Sequence, residues 1–505
     1  LASVKQKLSV CSRTVAIAER DSTQDSGLCA HLIGDSPHVR EVRAYVPKVA
    51  STDSNVLISG ERIEKIASSI TLNPVKKYIE INATGLYLLP GVIDDQVHFR
   101  DPGLTHKGTL FTESVAAVAG GITSFMDMPN TIPNTLTQEL LEEKYRMAAE
   151  KSLANYSFFM GISKHNLDEA LRTDTENVCG ITDDGLYFNN DEGILANYPD
   201  FLEELFSRTD TLVALHCEDD TIINANTQKF KLQYGADIPF FYHSLIRDEQ
   251  ACLKATQRVL KIAEKHQTRL HLFHISTLAE AKLFDNHTPI REKRITAEAC
   301  VHHLWFSDAD YERLGSKIKW NPAIKKDQDR RGLMQSLLNN KIDIIATDHA
   351  PHAIAEKAGN YFQAHSGGPL VQHALLAILE LFHRGEIPLE KVAEKMSHNV
   401  AEIYRIKERG YIREGYFADL VLVDLNKQQE VSENSLLYKC KWSPFLGQVF
   451  KSSINSTFVN GNLVYVTGGT HTCTVSGTIS EQSSEIALDP LPIPQDQIDG
   501  WKEEA

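Results

Sequence analysis

Eight apolar segments alternate with helical patterns through the middle of the chain, and this alternation constrains the fold more than any other feature. The segments have strand length and lie at 91–99, 121–128, 156–162, 178–184, 211–218, 269–276, 294–306 and 341–350. Most are separated by stretches whose apolar residues recur at three- and four-residue spacing, as in helices, for example 137–151, 250–266 and 329–340. Near-continuous apolar strands are typical of a parallel sheet that is covered on both faces. The pattern predicts an α/β fold, a (β/α)8 TIM-like barrel over 91–408.

A doubly wound open sheet is the competing architecture for such an alternation. That fold usually carries a glycine-rich nucleotide loop after its first strand. Neither a GxGxxG pattern after the first strand nor a GxxxxGK[ST] pattern occurs in this chain. The closed barrel is therefore the favoured prediction.

Short strands separated by turns flank the barrel on both sides in the sequence. They occupy 41–90 and 409–466, and Asn460-Gly461 between two apolar runs is a strong hairpin signal. Because the ends of a domain often lie close together, the two segments are predicted to form one composite β-sandwich. Residues 1–40 and 467–505 are polar and are predicted to be tails.

Composition excludes several classes of protein. With 42% hydrophobic and 24% charged residues among 505, the bulk of the chain is globular. The net charge of −15 argues against a general nucleic-acid-binding surface, and no apolar run is long enough for a membrane span. The eight cysteines are scattered without a CxxC pair, which indicates a reducing compartment and a cytoplasmic location. The first eighteen residues contain three cations and no acid, so a mitochondrial or other organelle presequence is the alternative to a tail.

Histidines and carboxylates fall at the ends of the predicted strands. These residues are His98, Asp183, Asp184, His216, His274 and Asp348. The carboxyl ends of all strands in a parallel barrel open onto one face, where active sites are built. Imidazole and carboxylate are ligands that suit zinc and similar divalent ions, so the set predicts a metal centre. His302 and His303 lie within the seventh segment rather than at its end and are interpreted as core residues.

A second group of residues near these strand ends suits an anionic amide substrate. Arg100 can bind a carboxylate with two parallel hydrogen bonds, and Asn130 and Asn321 can each offer an amide donor. His352, in DHAPH, could reach the same face from its loop. Taken one at a time, a rim salt bridge for the arginine and turn roles for the asparagines remain open.

Eight motifs then occur in an order that resembles one known family. They are HFRDPG (98–103), GGITSFMDMPNT (120–131), TDDG (182–185), HCED (216–219), HIST (274–277), ITAEACVHHLWF (295–306), NPAIK (321–325) and DHAPH (348–352). Together they resemble the signature of the dihydroorotases, cyclic amidohydrolases of the amidohydrolase superfamily. The segments 410–425 and 459–465 resemble the composite β-sandwich of that superfamily.

The resemblance implies a zinc-dependent, reversible hydrolysis of dihydroorotate to N-carbamoyl-aspartate, a step of pyrimidine biosynthesis, with one or two zinc ions. The implied metal ligands are His98, Asp183, His216, His274 and Asp348, with Asp184 as the alternative to Asp183. Asp348 is also the implied proton shuttle. The residues implied to hold the substrate are Arg100, Asn130, Asn321 and His352.

One residue departs from the family pattern. The family opens the first strand with D-x-H-x-H, whereas this chain has Gln96 where the first of those histidines is expected. A carboxamide is a weaker zinc ligand than imidazole. Three outcomes stay open: weak coordination by Gln96, a single remaining ion at reduced occupancy, or an inactive site.

These outcomes leave three functions in competition. The first is a dihydroorotase-like enzyme for a small anionic substrate. The second is a catalytically impaired homologue that serves as a structural or regulatory subunit of a larger assembly. The third is another cyclic amidohydrolase, of the dihydropyrimidinase or hydantoinase kind. By family habit a homo-oligomer is expected, and neither nucleic acid nor membrane is expected as a partner.

Overall fold

A computed structural model describes residues 14–17, 55–72, 78–186, 194–467 and 473–476. The chain divides into two compact units. One comprises Leu1–Gly91, Lys407–Lys427 and Ser452–Ala505, and the other comprises Val92–Ile406 and Gln428–Lys451. Among the described residues, no helix is both long and apolar enough to cross a membrane.

The strands and helices are named here once. The strands are β1 (Thr14–Ile17), β2 (Asn55–Ser59), β3 (Arg62–Ala67), β4 (Tyr78–Ile81), β5 (Tyr87–Pro90), β6 (Val92–Val97), β7 (Ile122–Asp127), β8 (Asn155–Gly161), β9 (Gly180–Thr182), β10 (Val213–Leu215), β11 (Leu270–Leu272), β12 (Ile295–Cys300), β13 (Ile344–Ala346), β14 (Leu420–Asp424), β15 (Gln429–Glu430), β16 (Val449–Phe450), β17 (Ser453–Val459), β18 (Asn462–Val466) and β19 (Cys473–Ser476). The longer helices are Leu110–Ala119, Gln138–Lys151, Pro199–Arg208, Asp220–Tyr234, Glu249–His266, Asp327–Leu338 and Ala374–His383. Shorter α-helices are Leu167–Ala170, His243–Ile246, Leu278–Ala281, Val301–Trp305, Tyr311–Leu314, Leu389–Ala393 and Asn399–Ile403, the last two joined by a π-helical turn, Glu394–His398.

Eight parallel strands, β6 to β13, form the sheet of the larger unit in strict sequence order. The ring closes where Val97, the last residue of β6, pairs in parallel with His349 beyond β13, and the His98 N–H donates to the His349 carbonyl at 2.8 Å. Seven of the eight predicted apolar segments contain one of these strands, and β8 begins one residue before its predicted segment. The predicted (β/α)8 barrel is confirmed.

The barrel interior is filled by apolar side chains from successive strands. This cluster includes Ile93, Met126, Phe159, Ala214, Phe273 and Ile344, all buried. Val400 and Ile403 of the last helix belong to the same cluster. Because apolar side chains fill this part of the barrel, the rim where the strands end is the place to look for a ligand site.

A buried ion pair fixes the helix after β7 to the strand. Lys144 Nζ lies 2.6 Å from Asp127 Oδ2 and also donates to the Met128 carbonyl. Both side chains are fully buried. The other oxygen of Asp127 accepts from the Phe99 N–H at 2.7 Å, so the pair also anchors the segment that follows β6.

Two sheets, in which most neighbouring strands are antiparallel, make up the smaller unit. Their strand orders are β19-β4-β1-β2-β3 and β18-β17-β14-β5. Ile58, Ile63, Ile81, Leu420 and Phe458 come from both sheets and share one hydrophobic cluster, as expected for a sandwich built from the two ends of the chain.

The hairpin between β17 and β18 turns at Asn460 and Gly461, as predicted. Their φ angles are 50° and 73°. Both values lie in the left-handed region that the tight turn requires and that asparagine and glycine tolerate.

Three boundaries differ from the predictions. Strands β1 and β19 lie within segments predicted to be tails, and both pair with β4; the rest of those segments lies outside the described residues. Residues 428–451, predicted as sandwich, belong to the barrel unit and bond to it, as when Gln372 donates to the Ser435 carbonyl. Residues 301–305, predicted as strand, are helical and follow β12 directly.

Lys144→Met should lower the free energy of unfolding by about 3–5 kcal/mol, because it leaves the buried Asp127 carboxylate without its partner. Chemical denaturation followed by circular dichroism measures this change. The control is Arg146→Met on the same helix, which removes an exposed ion pair to Glu143 and should cost no more than about 1 kcal/mol. Equal effects of the two substitutions would contradict the anchoring role of the buried pair.

Candidate metal centre and substrate cavity

Five of the predicted site residues follow barrel strands at the same rim. His98 follows β6, Asp184 follows β9, His216 follows β10, His274 follows β11 and Asp348 follows β13. All five are buried. The parallel order of the strands therefore brings side chains from distant parts of the chain to one end of the barrel.

Asp184, His216 and His274 form the core of the site. Their possible ligand atoms all lie within 4.8 Å of one another. His216 Nδ1 lies 3.0 Å from His274 Nε2, and Asp184 Oδ1 lies 3.8 Å and 3.7 Å from those nitrogens. Three convergent donors of imidazole and carboxylate type are a donor set that suits a divalent transition-metal ion.

The structure places Asp184, not Asp183, in this cluster. Asp183 instead accepts hydrogen bonds from the backbone N–H groups of Leu195 and His216, at 2.9 Å and 3.3 Å. Its carboxylate is occupied by the backbone, and burial raises its pKa to about 7. The preference for Asp183 over Asp184 as the bridging carboxylate is therefore corrected.

A carboxylate on the side of the ring away from His274 sets the tautomer of His216. His216 Nε2 lies 2.8 Å from Glu218 Oε2, which also pairs with Arg247. Since Nε2 donates to Glu218, the lone pair is on Nδ1 and points at His274 Nε2. A proton or a cation must lie between those two nitrogens for them to approach so closely.

The pKa shifts in the cluster agree with a proton or a cation between His216 and His274. Burial alone would raise the pKa of Asp184, but its contacts with His274, His98 and His216 hold it well below the usual value. Burial alone would lower the pKa of His274, yet Asp184 and the more distant Asp348 raise it to about 9. The site thus holds positive charge where the ligand atoms converge, and a metal ion would replace a proton there.

His98 extends the cluster toward Asp348. Its Nδ1 lies 2.8 Å from Asn130 Oδ1, so Nδ1 donates and the lone pair is on Nε2. That nitrogen lies 3.1 Å from Asp348 Oδ1 and 3.4 Å from Asp184 Oδ2. His98 and Asp348 therefore lie on the Asp184 side of the centre.

Gln96 also contacts the cluster, through the donor end of its carboxamide. Nε2 lies 3.3 Å from Asp184 Oδ2, and Oε1 lies 3.4 Å from Cys300 Sγ. An amide nitrogen has no lone pair to offer a metal, so Gln96 in this orientation supports Asp184 rather than acting as a ligand.

A cavity of about 140 Å³ opens beside the centre. It is lined by six of the predicted residues, His98, Arg100, Asn130, Asn321, Asp348 and His352. Asp184 lines it as well, so the cavity connects the metal-ligand candidates with the substrate-binding candidates.

Arg100 is the main cation of this cavity. It is 6% exposed, donates from Nε to the Pro351 carbonyl at 3.2 Å, and forms no ion pair with a carboxylate among the described residues. Burial lowers its pKa to about 10, where it remains charged at neutral pH. A buried guanidinium without an acidic partner favours an anionic ligand in the cavity.

His352 and Asn321 complete the cavity wall. Lys107 donates to His352 Nδ1 at 3.1 Å, so His352 Nε2 carries the hydrogen and donates to the Ser366 carbonyl at 2.9 Å. Asn321 Oδ1 is buried without a hydrogen-bond partner in the described part of the chain. It is therefore free to accept a hydrogen bond from a ligand.

Three site residues have a left-handed backbone. The φ angles of Arg100, His274 and Asp348 are 68°, 38° and 47°. Such angles are uncommon for residues other than glycine and concentrate at functional sites. Gly185, at φ 72°, allows close packing after Asp184, because a Cβ there would lie 2.3 Å from Asn130 Nδ2.

Sequence reasoning missed the residues that support this site. Glu218 and Lys107 were not singled out, nor was Glu298, whose Oε1 accepts from the His274 N–H at 2.9 Å. The two-residue spacing of His216 and Glu218 in HCED was an available signal, since both follow the same strand. Nothing local indicated Lys107, which reaches the cavity from a loop.

Residues 87–464 match the amidohydrolase family. The chain belongs to this family. It is 31% identical to a dihydroorotase of Methanosphaera stadtmanae over 81% of this chain and 92% of that protein, and 28% identical to an allantoinase of Desulfitobacterium hafniense over 83% and 92%. The structure resembles an L-hydantoinase of Arthrobacter aurescens with a TM-score of 0.76, at 22% identity, over 93% of this chain and 97% of that one.

Glu218→Gln should weaken divalent-metal binding by about 10- to 100-fold, because the His216 ring loses the carboxylate that fixes its tautomer. Competition against a chromophoric chelator measures the affinity. The control is Glu280→Gln, another buried carboxylate, which bonds to Thr256 and Thr277 instead. Unchanged affinity in Glu218→Gln would contradict the supporting role of Glu218.

Proposed function

We propose that this chain is a metal-dependent cyclic amidohydrolase whose substrate carries a carboxylate, with dihydroorotate and N-carbamoyl-aspartate as the reacting pair. The observation that carries the proposal is Arg100, a buried cation without an acidic partner, which lines the same cavity as Asp184 and Asp348. Family membership and the relatives described above support a cyclic amide as the reacting group.

The carboxylate requirement distinguishes dihydroorotate from the other cyclic amides. Allantoin and simple hydantoins or dihydropyrimidines lack the ring carboxylate that a guanidinium binds in two parallel hydrogen bonds. Arg100 and Lys107 both line the cavity, but Lys107 already pairs with Glu356 at 3.1 Å. Arg100 is therefore the residue proposed to bind the substrate carboxylate.

The metal would be held by Asp184, His216 and His274, with His98 and Asp348 beside them. When bound, a divalent ion such as Zn²⁺ supplies Lewis-acid polarisation of an amide carbonyl and activation of water. The proposal covers one or two ions, because His98 and Asp348 lie on the Asp184 side of the centre and could hold a second ion there.

The chain's own residues supply binding and proton transfer. Asp348 lines the cavity, with its Oδ1 3.1 Å from His98 Nε2. It is proposed to accept a proton from the attacking water and return it to the leaving nitrogen. Asn321 Oδ1 is proposed to accept from a ring N–H. Arg100 fixes the ring so that the reacting carbon stays close to the centre.

Arg100→Gln should raise the KM for dihydroorotate by about 10- to 100-fold, because it removes a charge-assisted hydrogen bond worth about 1.5–3 kcal/mol. Steady-state kinetics on metal-loaded protein measure this change, and any turnover by the unmodified chain tests the proposal itself. Dihydrouracil, which lacks the carboxylate, serves as the matched control substrate. Its turnover should not fall in the variant, and a preference of the unmodified chain for dihydrouracil would contradict the proposed specificity.

A catalytically impaired homologue is the second candidate, and Gln96 favours it. Its carboxamide presents Nε2 to Asp184, where the resemblance leads us to expect an imidazole ligand. One ligand fewer would weaken retention of a metal without disturbing the barrel. In that case the chain would serve in a larger assembly rather than as an enzyme.

Gln96→His should raise metal affinity and dihydroorotate turnover at least about tenfold, because a full imidazole ligand is added beside Asp184. Metal analysis and turnover are measured on the same sample. Gln372→His is the control, since Gln372 is also buried but bonds to Ser435 and Leu437 instead. Stoichiometric metal without turnover in both the unmodified and the Gln96→His protein would establish the impaired alternative.

A further inference from the structure

A second group of possible metal ligands lies at the carboxyl end of β12, and the proposed reaction does not use it. Cys300 ends this strand, and His302 and His303 lie in the helix that follows directly. One possible ligand atom from each of the three lies within 4.8 Å of the others, and all three residues are buried. We call this group the Cys300 cluster.

The imidazoles of the Cys300 cluster are short of hydrogen-bond partners. Within the described residues, no hydrogen bond of good geometry is made by either ring nitrogen of His302 or by Nδ1 of His303, and the Thr347 backbone is only a weak partner of the His302 ring. A neutral imidazole always carries one N–H and one lone pair, and leaving these unpaired in a protein interior costs free energy. Two adjacent rings in this condition require an explanation.

The orientation of His303 indicates what that explanation is. Its Nε2 lies 3.1 Å from the Pro322 carbonyl, so Nε2 donates and the lone pair is on Nδ1. The same arrangement, with one nitrogen held by an acceptor and the other free, is typical of histidines that bind metals. The ring of His302 is held in turn by stacking on Trp320, with centroids 4.6 Å apart and planes at 16°.

Gln96 links the Cys300 cluster to the first centre. Its Oε1 lies 3.4 Å from Cys300 Sγ, while its Nε2 faces Asp184. The carboxamide oxygen therefore adds a fourth potential donor next to the sulfur. Glu298 Oε1 lies 3.5 Å from the same sulfur and is a further oxygen beside the cluster.

We propose that Cys300, His302 and His303 form a second, fully buried site for a borderline-soft divalent cation such as Zn²⁺, with Gln96 Oε1 as the nearest oxygen donor. One thiolate, two imidazoles and an oxygen form a donor set that zinc accepts. Bond lengths at zinc imply ligand atoms about 3.5 Å apart, so separations of up to 4.8 Å would contract by no more than about 1.3 Å on binding. This site is separate from the one that Asp184, His216 and His274 form.

Cobalt substitution tests the proposal because a cobalt–thiolate bond has a charge-transfer absorption in the near ultraviolet that imidazole and carboxylate ligands do not produce. The full chain is expressed with Co²⁺ supplied during growth, since the site is buried. The unmodified protein should show the thiolate absorption. Cys300→Ser should lose this absorption and one equivalent of cobalt.

Two controls separate this site from other sources of the signal. Cys440→Ser changes another buried cysteine that belongs to no cluster of possible ligands among the described residues, and it should keep both the absorption and the metal. His274→Ala disrupts the first centre and should keep the thiolate absorption. The experiment therefore tests the two sites independently. Absence of metal from the first centre would contradict the proposed function but not this inference.

The proposal is overturned if the cobalt-loaded unmodified chain lacks the thiolate absorption, or if the absorption persists in Cys300→Ser. Should Cys300→Ser fail to fold by circular dichroism, His303→Gln replaces it, and the expected result is one equivalent of metal fewer with a weakened absorption. An unchanged metal content in His303→Gln would also overturn the proposal.

Discussion

The geometry of the candidate centre depends on which nitrogen of each histidine carries its hydrogen. Glu218 accepts from His216 Nε2, and Asn130 accepts from His98 Nδ1, so in both rings the remaining lone pair faces Asp184 or its neighbours. If either acceptor were lost, the ring could present an N–H to the centre and repel a cation. Glu218 and Asn130 therefore determine whether the barrel rim can hold a metal.

The barrel and its rim could be predicted from the sequence, because both follow from the alternation of apolar strand segments with helical segments. The choice between Asp183 and Asp184 could not be made in this way. Adjacent residues at the end of a strand point in opposite directions, so a shift of one residue in where β9 ends decides which carboxylate enters the site. The structure ends β9 at Thr182, and Asp184 then faces the histidines.

The helix Val301–Trp305 was missed for a related reason. The segment from Ile295 to Phe306 contains no glycine or proline, and its valine, tryptophan and phenylalanine favour a strand. The chain nevertheless turns into a helix after Cys300, because the barrel strands end at a common rim. His302 and His303 were correctly expected to be buried, but their free nitrogens become visible only when their neighbours are known.

Gln96 is a weak metal ligand, but its side chain connects the two clusters of possible ligands. A carboxamide has a donor end and an acceptor end, and here the donor end faces the Asp184 carboxylate while the acceptor end faces the Cys300 thiol. A neutral imidazole could also donate on one side and accept on the other, but binding a metal through its lone pair would leave only its N–H for the sulfur. Glutamine therefore offers a donor to the first cluster and an acceptor to the second, whereas histidine at this position would strengthen the first cluster by removing an acceptor from the second.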